Sequence, residues 1–465
     1  MAVVVQPESS RIDEPVSISV NGVRPGSPVV LRVSVVDGSA QTWVSHATYV
    51  ADAAGAVDVG VQAPVEGTYD GVDPTGPLWA MHPEGAPRPL FFTRRRPAPL
   101  RMTAEVIVDG DTVATRSFVR TFCDPGVVGT PVDPGHGVVG TLFTPPTGPA
   151  PAAGVLLLGG SDGGQHDHAA ALLASHGFAV LSMSYFGAED TPQHLHRIEL
   201  HDVCRAVHWL AGQPQVDDQR IAVVGLSRGA ELALQVASMC PLVGSVVAGS
   251  PSSIRQAGLT GDYTDFTQPA WLLDGEALPF VPGRYGIAQF LGFVLGWLLR
   301  RPMRQRAMFE RMLDTSEQVG PSEIEVERIN GPVLLISGSD DRLWPSVRYA
   351  EAVLRRLARH GHPYRSRHVV CPGAGHFVCF PYGLPTLPPS TRLSPVRGLV
   401  IDFGGRPADN AAAARTSWAE MLGFLARSRD GVDVDVGVDA GRSISAECDR
   451  HRASAGGSGR VPCTW

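Results

Sequence analysis

Two patterns of apolar residues divide the chain. Up to about Cys123 the apolar positions come in short runs rich in Val and Ile, VSISVNG, SPVVLRVSVVD and LRMTAEVIVDG, separated by Gly, Pro and Asp. Partial alternation puts one set of side chains on each face of a strand, and no stretch here keeps a helical period. Repeated short strands between turns predict an antiparallel β-sandwich of about 100 residues. A connector rich in Gly, Pro and Asp follows, from Asp124 to about Gly140.

The pattern changes near Gly154. GVLLLGG is a continuous apolar run, as a strand covered on both faces requires. The helix-like HDHAAALLASH, the strand-like FAVLSMSY, the helix-like VCRAVHWLAG, the strand-like IAVVG and the helix-like ELALQVASM come next. Further on, PVLLISG and RHVVCPG flank the helix-like VRYAEAVLRRLARHG, and Ser417 to Arg427 reads as a closing helix. Alternating strand and helix over about 250 residues predicts a mostly parallel sheet with helices on both faces. From Arg429 the chain reads DGVDVDVGVDAG and then a Gly/Ser/Arg mixture, which offers no core face and predicts a flexible tail. The expected layout is an immunoglobulin-like β-sandwich over residues 1–125, an α/β unit over 126–428 and a tail over 429–465.

Bulk properties narrow the function classes. A chain of 465 residues is long enough for two or three units. With 43% hydrophobic and 18% charged residues it resembles a soluble protein with a sizeable core. A formal charge of -7 argues against nucleic acid as a partner, because phosphate contacts need a basic face. Seven cysteines without a CxxC pair suggest neither a zinc site nor a disulfide framework, and a reducing cytoplasm is the expected compartment. MAVVVQPESSRIDEP lacks a charged segment followed by an apolar one, so no secretory signal is expected. The most apolar stretch, Ile287 to Leu299, is shorter than the ~20 residues of a transmembrane span, so none is expected.

The sharpest chemical signal is Gly225-Leu226-Ser227-Arg228-Gly229, between the strand IAVVG and the helix beginning near Ala230. A serine at such a strand-to-helix turn has its hydroxyl raised above the sheet edge, and the flanking glycines leave room for the tight backbone. An acid and then a histidine should follow in the chain. After PVLLISG come Asp340 and Asp341, just past the C-terminal end of a strand, where functional groups of a parallel sheet collect. Asp341 is the expected orienting acid, with Asp340 as a turn residue. Gly373-Ala374-Gly375-His376 follows the strand RHVV, and among 15 histidines His376 alone combines this chain order with a glycine-rich loop. His176 and His208 read as surface or packing residues.

These features predict an α/β-hydrolase fold behind the β-sandwich, with Ser227 as nucleophile, His376 as general base and no cofactor or metal. Two backbone donors must hold the oxyanion. One should be the N–H of Arg228 and the other that of Ser161 or Gly160, in the loop after GVLLLGG. That loop, Gly159 to Gly164, lacks the Lys-Ser/Thr ending and the glycine spacing of phosphate-binding loops.

From about Ser10 to Arg427 the chain resembles the acyl-CoA thioesterases and bile acid-CoA:amino acid N-acyltransferases. The resemblance is carried by SHATYVADAAGAVDV, GTYDGVDPTGPLWAMHPEG, GFAVLSMSYFGAEDTP, GLSRGAELAL, SGSDDRLWPS, CPGAGHF and FGGRPADNAAAARTSWAEMLGFL. It implies the two-domain layout, an acyl-CoA or acyl-carrier thioester as substrate, and the triad Ser227, Asp341 and His376. The N-acyltransferase members have cysteine at the nucleophile position. A serine ester is less selective for amines over water than a thioester, so Ser227 tilts the expectation toward hydrolysis. Acyl transfer to an amine or alcohol is the alternative, and a non-catalytic binding protein a third.

The segment GIAQFLGFVLGWLLRRPMRQR is more apolar and more arginine-rich than the family pattern. Phe290, Phe293 and Trp297 recur near one helical face and suit the wall of an acyl tunnel; a core or dimer-facing helix is the alternative. Arg300 and Arg301, with Arg304 and Arg306, are candidates for the phosphates of coenzyme A or a solvated basic helix end. Arg94, Arg95 and Arg96 form a second cluster.

Overall fold

Alternation in the first part of the chain becomes burial in the computed structural model, which describes residues 1–430 apart from 87–89, 95, 147–150, 261–265, 284–293, 300 and 395–399. Strand Pro28–Val36 turns Val29, Leu31, Val33 and Val35 inward, and Leu100–Val108 does the same with Met102, Ala104 and Val106. The two pair antiparallel within a seven-stranded sheet. A three-stranded sheet of Ala2–Gln6, Ser17–Asn21 and Ala56–Asp58 shares its apolar core. One pair departs from the expected antiparallel pattern: Ser9–Arg11 runs parallel to Asp111–Thr121.

The second part forms an eight-stranded sheet. Its strands are β1 (Val128–Pro131), β2 (Gly140–Thr144), β3 (Ala152–Leu158), β4 (Phe178–Met183), β5 (Val216–Leu226), β6 (Val243–Gly249), β7 (Val333–Gly338) and β8 (Arg367–Cys371). Their spatial order is β1-β2-β4-β3-β5-β6-β7-β8. β3 to β8 are mutually parallel, and β1 and β2 are antiparallel to their neighbours. β4 and β7 are buried along their whole length, as their unbroken apolar runs require. The principal helices are α1 (Asp167–Ala174), α2 (Leu200–Ala211), α3 (Arg228–Ala237), α4 (Arg306–Thr315), α5 (Ser346–Arg359) and α6 (Pro407–Asp430). Residues of α1 and α6 share a core with Val155 and Leu157, whereas α2, α3 and α5 share one with Leu156 and Leu158. Helices therefore cover both faces, and the arrangement is an α/β-hydrolase fold. The chain leaves β3 toward β4 and returns to β5 on the other side, which opens a crevice above β3 and β5.

Three expectations need correction. The segment from Asp124 to Gly140 is more than a connector, because it holds β1. That strand is exposed along its whole length, so no apolar pattern announces it. β6 is VGSVVAG, a strand that is absent from the expected elements. The closing helix starts at Pro407, ten residues before Ser417, and continues to Asp430 past the expected start of the tail. Residues 431–465, nearly all of that tail, lie outside the described residues.

Candidate active site

β5 ends at Leu226 and α3 begins at Arg228, so Ser227 carries the whole change of direction, with φ of 59° and ψ of -121°. A non-glycine residue in this region is strained, and the surroundings must hold it there. Part of the hold is the Ser227 N–H, which donates to the Gly249 carbonyl at 2.8 Å. The flanking glycines permit the approach. A Cβ on Gly225 would lie 2.1 Å from the Gly229 carbonyl oxygen, and one on Gly229 would lie 2.2 Å from that of Gly159.

His376 reaches this serine from the loop after β8. Its Nε2 lies 2.9 Å from Ser227 Oγ, and its Nδ1 lies 2.9 Å from Asp341 Oδ2. All three side chains are buried. Asp341 is fixed through its other oxygen, which accepts the N–H groups of Leu343 at 3.0 Å and Trp344 at 3.2 Å. The histidine loop is held by the Phe403 carbonyl, which accepts the His376 N–H at 2.9 Å, and by Ser250 Oγ, which donates to the His376 carbonyl at 2.7 Å. Trp344 stands edge-on to the imidazole at 5.4 Å, and Phe403 stacks on it at 6.2 Å. Asp340 points elsewhere, pairing with Arg342 at 2.6 Å and accepting the Gly405 N–H at 3.1 Å.

The loop after β3 lies against the turn that carries the serine, at Leu226 and Gly229. The Gly160 N–H is already engaged, donating to the Tyr382 hydroxyl at 2.7 Å. Among the described residues the Ser161 N–H has no such partner. The Arg228 N–H, at the first position of α3, has none within the helix.

The Arg228 side chain lies buried 3.3 Å from Glu231 and 5.5 Å from the Trp271 ring centre. Glu231 also accepts Trp271 Nε1 at 2.6 Å and the Gln256 N–H at 3.1 Å. Burial raises the Glu231 carboxyl above its ordinary range, against the pull of Arg228. An Arg–Glu pair at i,i+3 in the first turn of α3 is the only sign of this network in the sequence.

The arginine candidates have mixed placements. Arg304 pairs with Asp402 at 3.2 Å, and Arg306 pairs with Glu310 at 2.8 Å while donating to the Asp341 carbonyl at 3.4 Å. Arg306 thus braces the acid loop directly, whereas Arg304 shares Asp402 with Arg342 of that loop. Arg301 is exposed, as are Leu295, Leu298 and Leu299, and Trp297 is 46% exposed. A buried core helix is therefore excluded for the described part of this segment. Phe290, Phe293, Arg300 and Arg95 lie outside the described residues, and Arg96 is exposed. Arg94 donates to the Tyr382 carbonyl at 3.4 Å, and burial lowers its guanidinium to about 10. Among the described residues no group of His, Cys, Asp and Glu could hold a metal ion.

Two family models match this chain: the BAAT/acyl-CoA thioester hydrolase C-terminal model over residues 199–430 and the acyl-CoA thioester hydrolase/BAAT N-terminal model over residues 13–134. The chain is 32% identical over 431 residues to the mouse mitochondrial acyl-coenzyme A thioesterase 2, covering 90% of this chain and 88% of that protein. The chain belongs to the acyl-CoA thioester hydrolase/BAAT family. Human acyl-coenzyme A thioesterase 1 is 32% identical over 89% of this chain and 93% of its own. The mouse peroxisomal succinyl-coenzyme A thioesterase is 31% identical over 89% of this chain and 93% of its own. Among solved structures, a puromycin-hydrolyzing peptidase of Mycobacterium tuberculosis matches with a TM-score of 0.41 and 15% identity, over 85% of this chain and 53% of that one. The N-terminal match runs through the first two β-sheets and β1, and the C-terminal match begins one residue before α2 and carries Ser227, Asp341 and His376.

Proposed function

We propose that this enzyme hydrolyses acyl-CoA or related acyl thioesters through an acyl-enzyme on Ser227. The observation that carries the reading is the bridge of His376 between Ser227 Oγ and Asp341 Oδ2, at 2.9 Å on each side. His376 takes the serine proton as Oγ attacks the thioester carbonyl, and Asp341 holds the imidazole in the required tautomer and stabilises the imidazolium. The C–S bond breaks, the thiol leaves with the proton from His376, and a serine ester remains. Water then attacks that ester with His376 again as base, giving the free acid and restoring Ser227. The N–H groups of Arg228 and Ser161 are the proposed oxyanion donors.

The substrate contacts of the proposal are Trp297 and Arg301, with Phe290, Phe293 and Arg300 on the same segment. Support comes from how the segment ends. The N–H groups of Gln305 and Arg306 donate to the Arg342 carbonyl, one residue beyond Asp341. An exposed apolar stretch is thus followed, at Gln305 and Arg306, by a backbone anchor on the acid loop. The proposed units are residues 1–125 and 126–428, with a tail from 429. The proposed compartment is the cytoplasm, on the cysteine pattern, although relatives carry mitochondrial and peroxisomal names. No helix among the described residues is long and apolar enough to cross a membrane.

Release of free thiol from a panel of acyl-CoAs, with product analysis in the presence and absence of amines, tests the proposal. Free acid as the sole product in both arms supports hydrolysis, amide formation moves the assignment to acyl transfer, and no thiol release removes the thioester reading.

A further inference from the structure

Two tyrosine side chains meet the loop after β3 without belonging to the triad. Tyr185 Oη shares its single proton between the carbonyls of Gly159 at 2.9 Å and Gly160 at 3.1 Å. Tyr382 Oη accepts the Gly160 N–H at 2.7 Å and donates its single proton to the Asp162 carboxylate. In a trans peptide the N–H points away from the carbonyl of the same unit. With the carbonyls of Gly159 and Gly160 both held by Tyr185, the N–H groups of Gly160 and Ser161 point away from Tyr185. Tyr382 occupies the first of these two, which leaves the second.

We infer that Tyr185 and Tyr382 are positioning residues that clamp the loop after β3 from opposite sides and so aim the Ser161 N–H at the acyl oxygen. The inference rests on the Ser227 reading above and assigns the means by which its oxyanion site is built. A donor preorganised in this way needs no rearrangement when charge develops on the oxygen. Both phenols suit a fixed role. Burial raises the pKa of each well above the ordinary phenol range, and Asp162 reinforces the shift at Tyr382, so neither loses its proton at working pH. The Tyr382 backbone is in turn held by Arg94, which the earlier part of the chain contributes.

The test compares Tyr382→Phe, Asp162→Ala and Asp162→Asn with the wild-type full chain. It measures kcat, KM and the affinity for a trifluoromethyl ketone, whose hemiketal on a serine mimics the oxyanion. Tyr382→Phe should lower kcat by about 10- to 100-fold and weaken the ketone by a matching factor, with KM within about twofold. Asp162→Ala should lower both by about tenfold, and Asp162→Asn, whose amide oxygen still accepts the phenol proton, should stay within about twofold of wild type. The Asp162 side chain is 52% exposed, so its variants carry the test even if Tyr382→Phe does not fold. Unchanged kcat and ketone affinity in Tyr382→Phe or Asp162→Ala, or a fall in kcat without weaker ketone binding, would overturn the clamp. A wild-type enzyme that neither binds the ketone nor turns over a thioester would overturn the Ser227 reading, and the clamp with it.

Discussion

Phe91 meets Phe377 edge-on, with ring centroids 5.3 Å apart and planes at 88°. Phe377 follows His376 in the chain, and Phe91 also packs at 6.0 Å against Phe403, the ring stacked on the imidazole. A loop that precedes strand Leu100–Val108 in the first part of the chain thereby supplies the wall behind the histidine of the second. Phe91→Ala should lower kcat by about tenfold, because small displacements of a proton-transfer group are costly. It should also reduce Tm, by less than the ~3–5 kcal/mol of a fully buried aromatic would imply, since Phe91 is only part-buried. Steady-state kinetics and thermal melts on one preparation check both. A folded variant with wild-type kcat would show that the wall has no bearing on His376.

The two adjacent carboxylates should separate cleanly. Asp341 touches the imidazole, whereas Asp340 pairs with Arg342 and a backbone N–H. Asp341→Asn should reduce kcat by roughly 10⁴-fold by favouring the wrong tautomer. Asp340→Asn should cost less than about tenfold, since a part-exposed ion pair contributes little. Measured kcat values in the reverse order would contradict the assignment.

The residues that meet at the site differ in how legible they are in the sequence. Ser227, Asp341 and His376 stand out because each needs a local signature: a strained turn between glycines, a carboxylate at a strand end, a histidine on a glycine-rich loop. Tyr382 leaves no such trace. It acts on Gly160 from 222 positions away, and a lone tyrosine has no spacing to read. Phe91 is equally silent, and Arg94 stands out only as part of a basic cluster, because their contacts arise where the two parts of the chain pack together. In the fold, the unbroken apolar runs of β3, β4 and β7 are legible, whereas β1 is an exposed edge strand with no pattern to show.

His368 predicts acid sensitivity. On β8, where it is part-buried, its imidazole is lowered by desolvation to about 4. The unfolded chain regains the ordinary value of ~6.5, so between these two values it binds more protons than the native state. Stability should therefore fall as pH drops from about 6.5 to about 4, with no further contribution below. Thermal melts across that window should show a shallower slope for His368→Gln than for wild type. Identical slopes would remove His368 as a source of acid sensitivity.

Trp297 should matter for selectivity more than for stability. At 46% exposure its truncation should cost well under the ~3–5 kcal/mol of a buried aromatic. If it contacts the acyl chain, Trp297→Ala should change the ranking of kcat/KM across acyl lengths, at about 0.8 kcal/mol per methylene gained or lost. A chain-length series beside a thermal melt checks this. An unchanged ranking would take Trp297 out of the substrate contacts.

The acyl-enzyme itself gives the most direct test. Rapid quenching of the enzyme with an acyl-CoA, followed by peptide mass spectrometry, should find the peptide containing Ser227 heavier by one acyl group. The adduct should vanish on addition of hydroxylamine and be absent from Ser227→Ala, whose turnover should fall by about 10⁶-fold. An acyl group on another residue, or turnover in Ser227→Ala within tenfold of wild type, would contradict a mechanism built on Ser227.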